Sequence, residues 1–531
     1  MHITKTFFSV LALTLSMSVI GFTSCEEINP EEQGGEQTEE PTEEPAEHLI
    51  KLVSPEDSAE FDLDKIMKKS IDFEWKNLDT VPKYKLKISV NADLSNGKMI
   101  NMNDANPFSL KAIDLDAYLR EAGVPTDGET TLYWQVHSAA VIKADSEIRS
   151  IKVSRMSYGP NVSPSERKAE TITRKVAILI EDPVYNGYIE EYKGKRVSEI
   201  THKGWGYKWN NPREQMIEFE RDMEASSHHV VEYEVVQVVE ADRFWSYFKN
   251  SINNKQYLTV DTLVNYYLRE NPVDPADGKK WIDKLASYDY LAMLDHYGYT
   301  EMIDRDELHE VWVYTTPASG MYESRLIGEN AFWCNSPGIS KFDGAKNKAL
   351  CCVMFCNYER TTDLAMHSYA HRVESIMSMV YARSNNGWDY ASKRTKSQLS
   401  NWELFSASNK DFEKFDHDHA HIGLCHYPPN SADDVKDNYN YSNGRFIYTY
   451  ADTWQFYPYL SEDYARRVNC NEWADQGGHQ WGYMKWYFEH IPYFVGLNTN
   501  AGDKHLNNWW HYILDYNAGM AEEKRLQKEL K

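Results

Sequence analysis

The chain has 531 residues, 57 Lys and Arg against 81 Asp and Glu, and a formal net charge of −24. That length allows about two to four domains whose cores need no disulfide staples, and the acidity excludes nucleic acid as a partner, which would need a basic footprint. The 16 Trp and 36 Tyr offer ring faces that stack on sugars, although the same rings fill ordinary cores.

Residues 1–24 read as a processing segment. Lys5 gives a positive start, "FFSVLALTLSMSVIGF" is too short for a comfortable membrane span, and "FTSC" puts a small residue before Cys25. The pattern resembles a bacterial lipoprotein signal, with Cys25 as the lipidated first residue. Phe22 departs from the usual Leu, and a plain signal peptide or a membrane anchor is the other reading. Residues 25–48 carry ten glutamates and no Lys or Arg between Glu26 and Glu47, so they are expected to be an extended, disordered tether. An acidic stretch directly after the lipidated Cys resembles the surface-export signal of Bacteroidetes lipoproteins. It implies an outer-membrane protein that faces the cell exterior.

In residues 49–155, "SIDFEWKNL", "KYKLKISVN", "TLYWQVHSA" and "RSIKVSRM" alternate apolar and polar positions, as half-buried strands do. An immunoglobulin-like β-sandwich is expected, with Trp75, Tyr84 and Trp134 in its core. "SPEDSAEFDL", "FEWKN", "YKLKIS" and "LYWQVHS" together resemble the N-terminal module of starch-utilisation outer-membrane lipoproteins of the SusE/SusF type. In that family the module is a spacer and not the glycan binder. The resemblance implies extracellular glycan handling, with other outer-membrane glycan-utilisation proteins as neighbours, and says nothing of the chemistry downstream.

Residues 156–173 read as a linker. From 174 to 531 the strands "KVAILIED", "HHVVEYEVVQVV", "HEVWVYTT" and "ALCCVMFC" alternate with helical stretches, which predicts a large α/β domain with a mainly parallel sheet. Beyond residue 385 the sequence turns to helix and long aromatic loops. The six cysteines after Cys25 lack zinc-finger spacing and are expected to be free thiols acting as small hydrophobes.

Pockets in such folds form at the carboxyl ends of strands. Asp182, Glu323, Arg325 and Glu359 occupy those places, while His309 and Glu310 sit at a strand's start and are expected to miss the pocket. The helix after "ALCCVMFC" carries the strongest pattern. At about 100° per residue, Asp363, His367, His371 and Glu374 share a stripe roughly 80° wide, off the apolar arc. Two His at i and i+4 can both bind one metal, with Asp363 as a third ligand and Glu374 as base. Ser368 stands where the His-Glu-x-x-His zinc proteases carry Glu. An ordinary solvent face is the competing reading, though the helix has no lysine.

"FDHDHAHIGLCHYPPN" places His417, His419 and His421 on one side of an extended strand. His421 and His426, flanking "IGLC", are expected to line a substrate pocket. Glu472, Trp473 and His479 flank a Gly-Gly turn, and a carboxylate beside Trp suits general-acid use. These features predict a surface-anchored hydrolase acting on an extracellular glycan or glycoprotein with a divalent metal, zinc foremost. Glu374, Glu323, Glu472, Asp182 and Glu359 are the candidate proton carriers. The alternatives are a metal-free glycosidase with paired carboxylates, a non-catalytic glycan-binding lipoprotein, and a metallopeptidase.

Overall fold

The computed structural model describes residues 50–530, except 77–82, 103–104, 139–143, 201–208, 268–285, 382–398, 413–418, 475–477 and 500–502. The leader, Cys25, the acidic stretch and His417 lie outside the described residues.

The first unit is built from β1 (Lys51–Ser54), β2 (Ala59–Asp62), β3 (Ser70–Lys76), β4 (Tyr84–Ser89), β5 (Lys98–Asn101), β6 (Phe108–Lys111), α1 (Ala112–Glu121), β7 (Glu129–Ser138) and β8 (Arg149–Ser154). They pair as two sheets, β1-β3-β6 and β2-β8-β7-β4-β5. Strict alternation along β3 turns Ile71, Phe73 and Trp75 inward, the period that a one-sided sheet requires. Phe73 meets Trp134 edge-on at 4.9 Å, and Trp75 meets Tyr84 at 5.2 Å.

The stretch expected to be a linker is packed. Ser163 and Glu166 cap a short helix, Pro164–Arg167. Buried Arg167 lies 4.1 Å from the Phe494 ring and donates to the Tyr457 carbonyl. In return Tyr459 is buried in the first unit's core, with Phe456 and Tyr464 beside it.

The second unit opens with β9 (Ile172–Glu181), α2 (Pro212–Ser226) and β10 (Val231–Ala241). Next come β11 (Ser246–Phe248), α3 (Val260–Tyr267) and β12 (Ala286–Tyr288). Then follow β13 (Glu310–Thr315), β14 (Ser324–Ile327), β15 (Cys351–Asn357) and α4 (Thr362–Val380). The main sheet runs β10-β9-β13-β15-β14, parallel but for the β14 edge. Its inner strands β9, β13 and β15 are covered on both faces, which is why they read as apolar runs. Ile178, Ile180, Trp312, Tyr314 and Met354 face the core shared with α2 and α4. Leu179, Val311, Val313 and Val353 face Tyr290, Met293 and Tyr299. The C-terminal part adds short helices, among them α5 (His479–Glu489) and α6 (Trp509–Leu514), which pack on α4, and two small sheets. The six described cysteines are free and buried. Among the described residues no helix is long and apolar enough to cross a membrane.

Candidate metal centre

β15 delivers the chain to Asn357, and a short turn sends it back as α4. Sixteen of the nineteen α4 residues are buried, so its histidine stripe is not a solvent face. The sheet covers one side, and α5, α6 and the 421–441 segment cover the other. Arg372 pins this helix. Buried with Glu310, it pairs with that carboxylate at 2.7 Å and donates to the Ile513 carbonyl. Glu310 thus holds a structural ion pair in the core.

His367 and His371 meet Cys425 and His426, which the 421–441 segment lays over α4. One ligand atom from each lies within 4.8 Å of all the others. His371 Nε2 is 3.1 Å from His426 Nε2 and 3.4 Å from Cys425 Sγ. A tetrahedral zinc with ordinary bond lengths would set N···N at about 3.4 Å and S···N at about 3.6 Å; the two His371 pairs already match, and the widest separation in the cluster, 4.8 Å, would have to close by more than ~1 Å.

The outer nitrogens fix the tautomers. His371 Nδ1 is 3.0 Å from Glu374 Oε2, an acceptor, and must donate. His426 Nδ1 is 3.1 Å from Asn438 Oδ1. His367 Nδ1 is 3.3 Å from the Tyr441 hydroxyl, whose proton goes to the Cys425 carbonyl. Each imidazole therefore spends its N–H outward and turns an Nε2 lone pair inward, the outer-shell arrangement typical of metal-ligating histidines.

Electrostatics keep two of the imidazoles neutral, while His371 and Cys425 would have to release protons to a metal. Burial, then the neighbouring imidazoles, hold His367 well below its ordinary value. Burial and His371 push His426 down to about 4. Burial also pulls on His371, but the Glu374 hydrogen bond and charge outweigh it and raise its pKa. Burial would lift Glu374 too, yet His371 and the Cys425 N–H hold it low. Burial, then Glu374 and Glu323, keep the Cys425 thiol protonated.

Glu323, just ahead of β14, forms the outer wall. Its carboxylate lies 3.5 Å from His371 Nε2 and 3.9 Å from His367 Nε2, and its side chain is 31 % exposed. Asn335 donates to it at 2.5 Å, and the Asn335 N–H is tied to Ser375 on α4. Tyr439 lies tilted against His426 at 3.8 Å and stacks on His367 at 5.5 Å. Asn335 and Tyr439 both adopt left-handed φ, 51° and 59°, a conformation costly for non-glycine residues and often found at functional sites. Tyr439 itself stays partly exposed over these rings.

The other expected residues lie elsewhere. Asp363 turns to Thr361 and Arg360, outside the cluster. Glu374 stands behind His371, with both oxygens occupied. Asp182 is buried under Ser198 and Arg213. Glu359, raised by burial, follows β15 without joining the histidines. Glu472 is clamped by Arg466 at 2.5 Å. Trp473 is core and donates to the Tyr441 carbonyl. His479 opens α5. Buried His421 receives the Trp454 N–H. Arg325 lies over Tyr290 and Tyr322, on the sheet face opposite α4. His426, expected to line a substrate pocket, sits among the ligands. Cys425, read as a small hydrophobe, is the donor that sequence reasoning missed, and its adjacency to His426 was the available signal.

No family model, curated protein or solved structure matches the chain.

Proposed function

We propose that the chain is a zinc-dependent hydrolase, lipid-anchored at Cys25 on the outer face of an outer membrane, acting on an extracellular glycan or glycoprotein. One observation carries the metal reading: three imidazoles, each with its N–H spent outward, converge their Nε2 atoms beside a buried thiol. His367, His371 and His426 would hold the ion with Cys425 as the inner donor, and water would have to enter as a fifth ligand. Glu374, Asn438 and Tyr441 orient the rings. Bound there, zinc would acidify a water and polarise the scissile group. Glu323, the partly exposed carboxylate at the mouth, would take the proton from that water. The exposed Tyr439 ring suits a sugar face. We read residues 49–155 as the immunoglobulin-like spacer that its sequence resembles, and its two sheets with an aromatic core support that reading.

A paired-carboxylate glycosidase is less well supported, because Glu374 is spent on His371 and the Cys425 N–H while Glu472 is spent on Arg466. A closed structural zinc site is the second reading, favoured by Cys425 Sγ at 3.4 Å from His371 Nε2, since four protein donors fill a tetrahedron. Metal analysis and hydrolysis assays on wild type, His371→Ala and Glu323→Gln separate them. The hydrolase reading expects one metal per chain, lost in His371→Ala, and a Glu323→Gln variant that keeps the metal but loses activity by about 10²–10⁴-fold. Metal-loaded wild type without hydrolytic activity would leave only the structural site, and full activity in metal-loaded Glu323→Gln would remove Glu323 as the base. Absence of stoichiometric metal in wild type would remove both readings.

A further inference from the structure

The carboxyl ends of β9 and β10 open onto a cavity of about 460 Å³, within the range of small-molecule sites. The β10 edge is the far side of the sheet from β14 and Glu323; four strand spacings make that roughly 19 Å. The cavity is therefore separate from the metal centre. Its wall after β9 includes Asn186, its wall after β10 includes Asp242 and Arg243, and Asp261 stands at the start of α3.

These four side chains offer both donors and acceptors, as vicinal hydroxyls require. Arg243 Nε donates to Asp242 at 3.0 Å, which leaves further donor and acceptor positions on both groups. Phe244 and Leu258 give an apolar floor. Tyr257 supplies a ring face: it is 40 % exposed, its hydroxyl is fixed on Asp289 at 2.6 Å, and its ring stands edge-on to Trp245. A half-exposed ring that cannot swing away is a stacking surface.

Charge narrows the ligand. Two carboxylates against one guanidinium repel anions. The α3 N-terminus, which would otherwise attract them, carries Asp261 in its first turn. A phosphate, a nucleotide or a uronic acid is thereby disfavoured. A neutral polyhydroxyl ligand satisfies the donors, the acceptors and the ring face together. We infer that this cavity is a second ligand site and that it takes a neutral saccharide. The inference does not rest on the metal centre.

The test uses the full chain in detergent, stripped of metal by chelation, with saturation-transfer NMR and calorimetry. The probes are glucose, mannose, galactose and their short neutral oligosaccharides, with inorganic phosphate and glucuronate oligosaccharides as controls. Binding of at least one neutral probe is expected, equally in His371→Ala. Tyr257→Ala should weaken it roughly tenfold, the equivalent of about 1.4 kcal/mol. Because Tyr257 also anchors Asp289, the exposed Arg243→Gln variant is the second measurement, and it should lose affinity with an unchanged melting curve. Absence of binding by every neutral probe, preference for phosphate or glucuronate, or unaltered affinity in both variants would overturn the inference.

Discussion

Glu181 ends β9 with its carboxyl fully buried. Trp245 N–H and Tyr288 hydroxyl donate to Oε1, and Thr315 hydroxyl to Oε2. Those three donors favour the charged form, but burial outweighs them and lifts the pKa from 4.5 to about 7. Between those two values the folded chain binds more protons than the unfolded one, so stability falls as pH rises. At about 1.4 kcal/mol per pH unit, the loss across the interval is on the order of 3 kcal/mol. Glu181→Gln mimics the neutral acid: its carbonyl can keep the Trp245 and Tyr288 bonds, and its amide can donate to Thr315. Wild type and variant should be equally stable near the unfolded value of 4.5. Above the folded value the variant should be the more stable, by roughly 4 °C in melting temperature for a unit of this size. Paired calorimetric scans across the pH range measure this. Parallel curves, or a variant less stable at high pH, would refute the reasoning.

Three further outcomes follow from the site. Glu374→Gln should weaken metal binding 10–100-fold, about 1.4–2.8 kcal/mol, read by competition with a chromophoric chelator; unchanged affinity would show that Glu374 does not support His371. Cobalt-substituted wild type should show a thiolate charge-transfer band that Cys425→Ser loses, and a band surviving in the variant would exclude Cys425 as a donor. Arg372→Met leaves buried Glu310 only the longer pair with Arg174, at 3.8 Å, and should cost up to about 3 kcal/mol, seen as an early thermal transition, and a wild-type melt would count against a buried ion pair there.

Much of the second unit was legible because its inner strands β9, β13 and β15 are apolar on both faces while the edge strand β10 and helix α2 carry the charged positions of a one-sided element. The His367–His371 pair was legible from helical spacing. Asp363 shared their angular stripe, yet it lies eight residues from His371, about 12 Å along the axis, and an angle carries no axial distance. The solvent-face reading failed because a sequence does not say what covers a helix from its other side. Cys425 and His426 come from a segment 54 and 55 residues beyond His371, folded back by contacts such as Tyr483 hydroxyl on the Ile422 and Leu424 carbonyls, and no local period reports that return. The strand-end rule placed Glu323 at the mouth but also pointed to Asp182, whose partners Ser198 and Arg213 lie 16 and 31 residues downstream.

The joint between the units has a practical consequence. A fragment beginning at Arg174, the cut that the sequence suggests, discards Arg167 and its contacts with Phe494 and the Tyr457 carbonyl. It also uncovers Tyr459, Phe456 and Tyr464, which pack on the first unit. Exposed rings of that kind form an adhesive patch. Such a fragment is expected to self-associate, and a failed assay on it would report the missing neighbour before it reported anything about the histidines.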